Sequence, residues 1–420
     1  VARHFPDFLD AYVKYAQNEY APKHFTEWVG ISILAAAVER KVYIREKQDY
    51  RNYPNLYTIL VAGPGIGKSS AIRQGIALID GIRVRNSKFK KHEGVCTSAA
   101  LRKEMNFYDH MPVSQTKFTS IFLVGREGSE SPLKNHGDDF RSAACSIYDS
   151  EDVYQFSTAK DGSLILQKPV MNMLVGATFD FMGGVVDQES AFGGLASRFT
   201  YVIEKNDKIG GSFFDLMPED VVGLSEEEQQ KLATKVTIDP EMKAKLTDDL
   251  YAIHRLEGHL KIHKDCLSLT QEWYDIFCED FNAMESSRMR AVNMRKRTLM
   301  KKMLVVTALS RSSDLILLPE DVKRTVALVE RVTKDNPYML SQSAVANLDT
   351  QSGVTQFLAQ TLKNNGGKMI KFNLMSAVLV HGNEVDWANK TFDALIGAGW
   401  VKYDTSTGIV ELLIDPDRYL

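Results

Sequence analysis

The sequence predicts an α/β fold: a parallel sheet covered by helices on both faces, then a helical region, then a small terminal domain. Three observations carry this reading. Short apolar runs (Leu56–Val61, Phe118–Val124, Val170–Ala177 and Arg198–Glu204) alternate with turn residues and with helical stretches such as Ser69–Ile79 and Ser98–Met105. Such alternation is what a doubly covered parallel sheet requires. From near residue 206 to about Leu340 the pattern reads as helices only, and beyond it three short helices precede a hairpin.

Taken in order, residues 1–41 form two helices. Phe5, Phe8, Leu9, Tyr12 and Tyr15 recur at helical spacing, and Thr26 stands where it could cap the apolar stretch Trp28–Val38. Residues 42–205 hold the sheet. The Gly- and Asp-rich stretch Lys208–Gly223 marks a boundary, after which Ser225 precedes Glu226, Glu227 and Glu228, a good N-cap followed by acids that suit the helix dipole. Residues 206–345 then read as a helical lid. Within 346–420, the helices Val354–Leu362, Phe372–Val380 and Val385–Gly397 precede Trp400–Tyr403 and Ile409–Leu413, joined by Thr405–Gly408. Three helices and a hairpin in that order predict a winged helix.

Composition narrows the classes. At roughly 150 residues per domain the chain has room for two to four domains, and 44% apolar with 25% charged residues excludes a disordered or fibrous chain. Lys+Arg 51 against Asp+Glu 54 leaves a net charge of −3, so any nucleic-acid surface must come from local patches. Cys96, Cys145, Cys266 and Cys278 lie far apart with no CxxC pair, which argues against a zinc ribbon or disulfide scaffold and for a reducing compartment. With no long apolar run and no signal-like start, no membrane partner is expected, and the cytoplasm of a bacterium or phage-infected host is the expected location.

The strongest local signal is Ala62-Gly63-Pro64-Gly65-Ile66-Gly67-Lys68-Ser69, directly after one apolar run and before a helix. This is the Walker A pattern in the context it demands, with Ala62 where the strict pattern has Gly. Glycines let successive N–H groups turn toward phosphate oxygens, and the helix start adds its partial positive charge. Residues 62 to 70, including Ser70, are the expected nucleotide contacts. Lys68 is expected on the β- and γ-phosphates of ATP and Ser69 on Mg²⁺. The bland alternative is a chance Gly-rich turn.

Hydrolysis needs an acid at the end of a neighbouring strand. Phe118–Val124 runs into Gly125-Arg126-Glu127-Gly128-Ser129-Glu130, so Glu127 is the first candidate for general base and Mg²⁺ contact; Glu130 or a merely solvated loop is the alternative. Arg126 occupies the place of the usual preceding aspartate. Thr178, ending Val170–Ala177, either orients the lytic water or is a plain strand-end residue. Arg198 follows Gly193-Gly194 and could reach the γ-phosphate of a neighbouring subunit; an ordinary surface salt bridge is its alternative. Two basic runs stand out. Arg83 to His92 is a candidate DNA lining. In Arg288 to Lys302, Arg288, Arg295 and Lys302 fall on one helical line and Arg290, Arg297 and Lys301 nearly opposite. Arg295 is thereby a candidate second phosphate sensor, against a solvated amphipathic helix. Phe107 and Tyr108 are either stacking aromatics or core. His259 and His263, spaced i,i+4, read as a solvent-facing pair on a lid helix.

Pro54-Asn55-Leu56-Tyr57 into the Walker A loop, then Glu127, Tyr148-Asp149, Gly176-Ala177-Thr178 and Gly193-Gly194…Ser197-Arg198 together resemble a family of P-loop ATPases of phages and mobile elements, found in primase–helicase and replication proteins. The resemblance covers roughly residues 5 to 335. It implies a hexameric, AAA+-like motor with Arg198 acting in trans, and partners among primases and other replication proteins; Gly125-Arg126 departs from the family's acid-rich strand end. The resulting expectation is an ATP-dependent motor on single-stranded or forked DNA, a ring-forming replicative helicase. A helicase loader or packaging ATPase, and an ATP-gated assembly protein with negligible hydrolysis, are its rivals. The terminal domain's third helix carries Asp386, Lys390 and Asp393, with Glu384 just before it, which favours protein contacts over sequence-specific DNA readout.

Overall fold

The computed structural model describes residues 3–16, 21–47, 50–95, 101, 104–105, 118–126, 138–158, 162–179, 181–182, 194–205, 221–223, 225–228, 239–284, 290, 293–336, 351–379, 389, 392–393, 395–397 and 399–413. Helices α1 (Phe8–Ala16) and α2 (Lys23–Val38) come first. Short strands β1 (Val42–Arg45) and β2 (Arg51–Asn52) follow, then β3 (Tyr57–Val61) and the long helix α3 (Lys68–Arg85). After β4 (Lys91–Glu93) and β5 (Thr119–Gly125) come helix α4 (Asp138–Tyr148) and an antiparallel hairpin of β6 (Val153–Thr158) and β7 (Gly162–Gln167). Strands β8 (Pro169–Ala177) and β9 (Phe199–Ile203) complete the central sheet.

That sheet has the order β4-β5-β8-β3-β9, and every neighbouring pair in it is parallel. The molecule is thus a mixed α/β protein with a five-stranded, all-parallel sheet, as the alternation of apolar runs and helices requires. Alternate side chains leave each strand on opposite faces. Tyr57, Ile59 and Val61 of β3 join Ile121, Met173, Tyr201 and the α4 residues Phe140 and Ile147 in one apolar cluster. Leu60, Phe122, Leu174 and Val202 point the other way, into a larger cluster with α1, α2 and α3.

Helix α2 lies inside that larger cluster, and nearly every residue from Phe25 to Val38 is buried. A helix that is apolar all round needs such a position. It begins at Lys23 behind Pro22, one turn earlier than the expected Thr26 cap. Thr26 is instead 1% exposed, with no hydrogen-bond partner for its hydroxyl. The polar Ser32 is accommodated by donating to Trp28 O and to Thr58 Oγ1 of β3, at 2.7 and 2.9 Å.

The region expected to be a helical lid begins with the Ser225 cap, where Ser225 Oγ accepts from Glu228 N and Glu228 Oε2 accepts from Ser225 N. Beyond it lie helices α5 (Pro240–His254), α6 (Asp265–Ala283), α7 (Lys296–Arg311) and α8 (Pro319–Thr333). It is not purely helical. Strand β10 (Gly258–His259) pairs in parallel with β1, and β11 (Lys261–Ile262) pairs in parallel with β12 (Ile316–Leu317). His259 and His263 therefore stand on an extended stretch, where residues four apart are about 13 Å from each other, and they form no helical pair. Leu246 and Leu250 of α5, Met303 and Val306 of α7, and Val329 of α8 share one cluster with α1, α2 and α3. The first three segments read from the sequence are therefore packed around common side chains.

Residues 351–413 carry a cluster of their own, built on Leu358, Leu374, Phe392, Val401 and Val410. Helix α9 (Gln351–Asn364) ends at Gly366 and Gly367, both at positive φ, and leads to β13 (Lys368–Ile370) and α10 (Lys371–Leu379). The hairpin β14 (Val401–Asp404) and β15 (Ile409–Leu412) is present, and β13, absent from the sequence reading, pairs antiparallel to β15. Most of Val385–Gly397 lies outside the described residues. Among the described residues no helix is long and apolar enough to cross a membrane.

Helices α2 and α3 touch through Gly75. A Cβ there would stand 2.4 Å from Val29 Cγ1 and 3.1 Å from Ile33 Cγ2. Gly75→Ala gains up to about 1 kcal/mol of helix propensity but overpacks a core contact at about 1–3 kcal/mol. The urea midpoint of the variant is expected to fall; an unchanged or higher midpoint would show that α3 can move away from α2.

Candidate phosphate-binding site

Loop residues 62–67 connect the carboxyl end of β3 to the start of α3. The loop turns where it does because Gly65 (φ 80°) and Gly67 (φ 67°) take the left-handed backbone that side-chain-bearing residues avoid. Gly67 is the N-cap of α3, and no side chain caps the helix, so its first N–H groups face the loop. The loop lines a cavity of about 470 Å³ with Lys68, Ser69 and Ser70 on one side and Ala177, Thr178 and Phe181 on the other. That volume is in the range of small-ligand sites. Central strand β3 is the first of the five in the chain, and strands leave it on both sides, so the cavity lies at a switch point of the sheet where α/β folds place ligands.

Lys68 is buried, and its Nζ donates to Ala62 O at 2.9 Å and Gly63 O at 2.6 Å, so the ammonium curls over the loop. Ser69 Oγ donates to Arg126 O, at the end of β5, at 3.1 Å. Gly176 explains how these ends come so close. A Cβ on it would lie 2.6 Å from Arg126 O and 3.4 Å from Lys68 Cβ, so only glycine lets β8 pass between the loop and β5. Thr178 Oγ1 accepts from Phe181 N at 3.3 Å, an N-cap-like role at the rim of the cavity. Glu127, Glu130 and Gly193 lie outside the described residues.

Beside the loop stands an acid that sequence reasoning missed. Glu93, at the carboxyl end of β4, accepts from Arg126 Nη2 at 2.7 Å. Burial raises its pKa, but Lys91 and Arg126 outweigh burial and hold it below the ordinary value. Its strand is only three residues long, inside a basic run, and left no periodic signal. The same run provides no continuous positive face. Arg83 pairs with Asp80, Arg85 with Asp248, and Lys91 with Asp80 and Glu93.

Arg198 and Arg295 line a different place. Arg198 immediately precedes Phe199, which is paired with Tyr57 at the amino end of β3, whereas the loop begins after Val61, paired with Ile203. Five strand steps, about 16 Å, separate the two levels. Arg295, the N-cap of α7, is at this same amino-terminal edge, where its Nη1 donates to Asp149 Oδ1 at 2.9 Å while Arg198 Nη2 donates to Asp149 Oδ2. The expected reach of Arg295 to a phosphate on its own loop is therefore absent from this arrangement, and neither arginine lines the loop cavity. The helical line predicted for the basic run is present in part. Arg295 and Lys302 both turn toward the end of α4, whereas Arg297 stacks on Tyr274 and Lys301 pairs with Glu46.

Lys302 is the most deeply placed cation of this group. Its Nζ donates to Asn55 Oδ1 at 2.5 Å, Tyr148 O at 3.1 Å and Tyr53 O at 3.3 Å, and lies 4.2 Å from the Tyr148 ring centroid. Nothing in the sequence distinguishes it from its exposed neighbours except helical phase. No family model matches the chain, and comparison with curated proteins gives no match.

Burial pushes Lys302 down to about 7, with Asp149 opposing and Arg295, Arg40 and Arg198 reinforcing the shift. The unfolded chain keeps this proton to about 10.4. Between those values the unfolded state binds more protons, so Lys302 makes stability rise with pH over that window. Urea midpoints at pH 7 and 9.5 should show a larger rise in the wild type than in Lys302→Met. The variant should also lose about 1–3 kcal/mol at pH 9.5 because three carbonyl oxygens lose a donor. Parallel pH profiles would refute the assignment.

Proposed function

We propose that this chain is an ATP-dependent DNA motor with a P-loop NTPase core and a winged-helix terminal domain, working as a ring-forming replicative helicase. The observation that carries the reading is the loop 62–69 itself, a glycine-turned connection at the carboxyl end of the central parallel strand. Lys68 and Ser69 lie at a cavity of about 470 Å³. In this reading the amides of the loop and of the first turn of α3 bind the β- and γ-phosphates of ATP. Lys68 exchanges the carbonyls of Ala62 and Gly63 for phosphate oxygens. Ser69 turns its hydroxyl from Arg126 O toward Mg²⁺, which would bridge the β- and γ-phosphates and neutralise developing charge. One side-chain ligand suits Mg²⁺, which keeps several waters and takes phosphate oxygens; Glu127 is the acid assigned to complete the site. Thr178 faces the cavity from the strand between the loop and β5, as a residue orienting water would. Single-stranded DNA as the track rests on the resemblance to phage and mobile-element ATPases, together with the six basic residues in the short stretch Arg290–Lys302.

One observation favours a second reading. Arg126 sits where the strand would normally bring an acid, and its guanidinium is neutralised by Glu93. A site arranged this way suits an ATP-gated assembly protein that binds nucleotide and hydrolyses it slowly. Turnover separates the two. For a motor, single-stranded DNA should stimulate ATP hydrolysis, and Lys68→Ala should lower kcat by about 100-fold or more, as loss of a direct transition-state contact does. ATP binding without measurable turnover, with or without DNA, would replace the motor by the assembly protein.

A further inference from the structure

We propose that Asp149 is the exchangeable counter-ion of a two-arginine site, Arg198 and Arg295, which receives the terminal phosphates of a nucleotide held on the loop of a second copy of this chain. This rests on the nucleotide reading above and adds to it Arg295 in trans and a role for Asp149.

The charge count at the cluster is unbalanced. One carboxylate serves two guanidiniums, each on its own oxygen, and the Lys302 amine stands behind them on the carbonyl of Tyr148. Arg198 is held rigidly: its side chain is 9% exposed, its Nη1 donates to Gly194 O at 2.6 Å, and its buried Nε has no hydrogen-bond partner. Asp149 and Arg295 are about one-third exposed, at 31% and 30%. The acid that balances the cluster is therefore the part that can swing into solvent. A phosphate offers more acceptor oxygens than a carboxylate in the fork geometry that arginine favours.

Position then dictates the source of the phosphate. The arginines occupy the amino-terminal edge of the sheet and the loop the carboxyl-terminal edge, about 16 Å apart along the strands. A site using both is completed only when the carboxyl edge of one copy meets the amino edge of the next, a head-to-tail contact of the kind that closes into rings. The three residues also come from different elements. Asp149 follows α4, Arg198 precedes β9, and Arg295 caps α7. Exchange of Asp149 for phosphate would accordingly loosen the start of α7 from the core each time a neighbour binds ATP.

Mixing experiments with full-length chains test this. Lys68→Ala has intact arginines and a disabled loop; Arg295→Ala has the reverse. Each alone should show little turnover, and an equimolar mixture should recover a substantial share of wild-type turnover, because one type of mixed contact pairs a good loop with good arginines. Recovery with Arg198→Ala but not with Arg295→Ala would overturn the assignment of Arg295 while leaving the motor intact. Failure of the wild type to bind a fluorescent ATP analogue would instead sink the nucleotide reading. The latch is tested by Asp149→Asn. Removal of the competing carboxylate should lower the protein concentration for half-maximal turnover by about fivefold, the scale of a partly exposed ion pair, with the affinity of a single chain for the ATP analogue unchanged. Asp149→Glu should return the midpoint toward the wild type. An unchanged midpoint in a folded Asp149→Asn protein would show that the acid is only a structural partner.

Discussion

Parallel pairing of β3 with β8 on one side and β9 on the other, in register from Tyr57 to Val61, is the constraint on which the rest of this structure depends. Because all five strands run the same way, every strand-to-helix connection emerges at one edge and every return arrives at the other. The loop with Lys68 and Ser69 is thereby placed at the carboxyl edge beside Thr178 and Arg126. Arg198, which enters a strand rather than leaving one, is placed at the amino edge. Neither location was chosen by the side chains concerned; both follow from the direction of the backbone. Parallel strands buried on both faces also need apolar residues at nearly every position, and β3, β5 and β8 are buried throughout.

At the carboxyl edge the chemistry depends on how closely three backbones approach. Gly176 lets β8 pass against Arg126 O, and that carbonyl in turn receives Ser69 Oγ. The charged groups at this edge are paired locally, Lys68 with loop carbonyls and Arg126 with Glu93. At the amino edge, positive charge is in excess around Asp149. A ring built head-to-tail would bring the excess positive charge of one copy to the phosphates of the next, so the two edges are electrostatically complementary only once a nucleotide is bound.

Much of the fold was legible because apolar runs and their spacing report burial directly. Four strands of the central sheet and the paired first helices were readable in this way, as were the terminal hairpin and the Ser225 cap. What failed failed for identifiable reasons. Strand β4 spans three residues, Lys91, His92 and Glu93, and belongs to the sheet only through its pairing with β5. Segments β10, β11 and β12 are two residues each and exist as strands only through partners in β1 and in one another. Thr26 looked like a cap because hydroxyls usually are, but the helix starts a turn earlier and buries it. The basic run at residues 83–91 looked like a continuous surface, and acids from α3, α5 and β4 neutralise much of it.

The sequence by itself determined the α/β alternation, the glycine-turned loop at residues 62–69 and the helical line shared by Arg295 and Lys302, since these depend on local conformational preference and on periodic burial. The tertiary structure alone decided that Arg198 and Arg295 share Asp149, that Glu93 stands beside Arg126, and that Gly176 must remain without a side chain. Each of these joins residues more than twenty positions apart, and some are nearly 150 apart. Such pairings are set by strand order and helix docking, which involve the whole core and leave no trace in the spacing of any one segment.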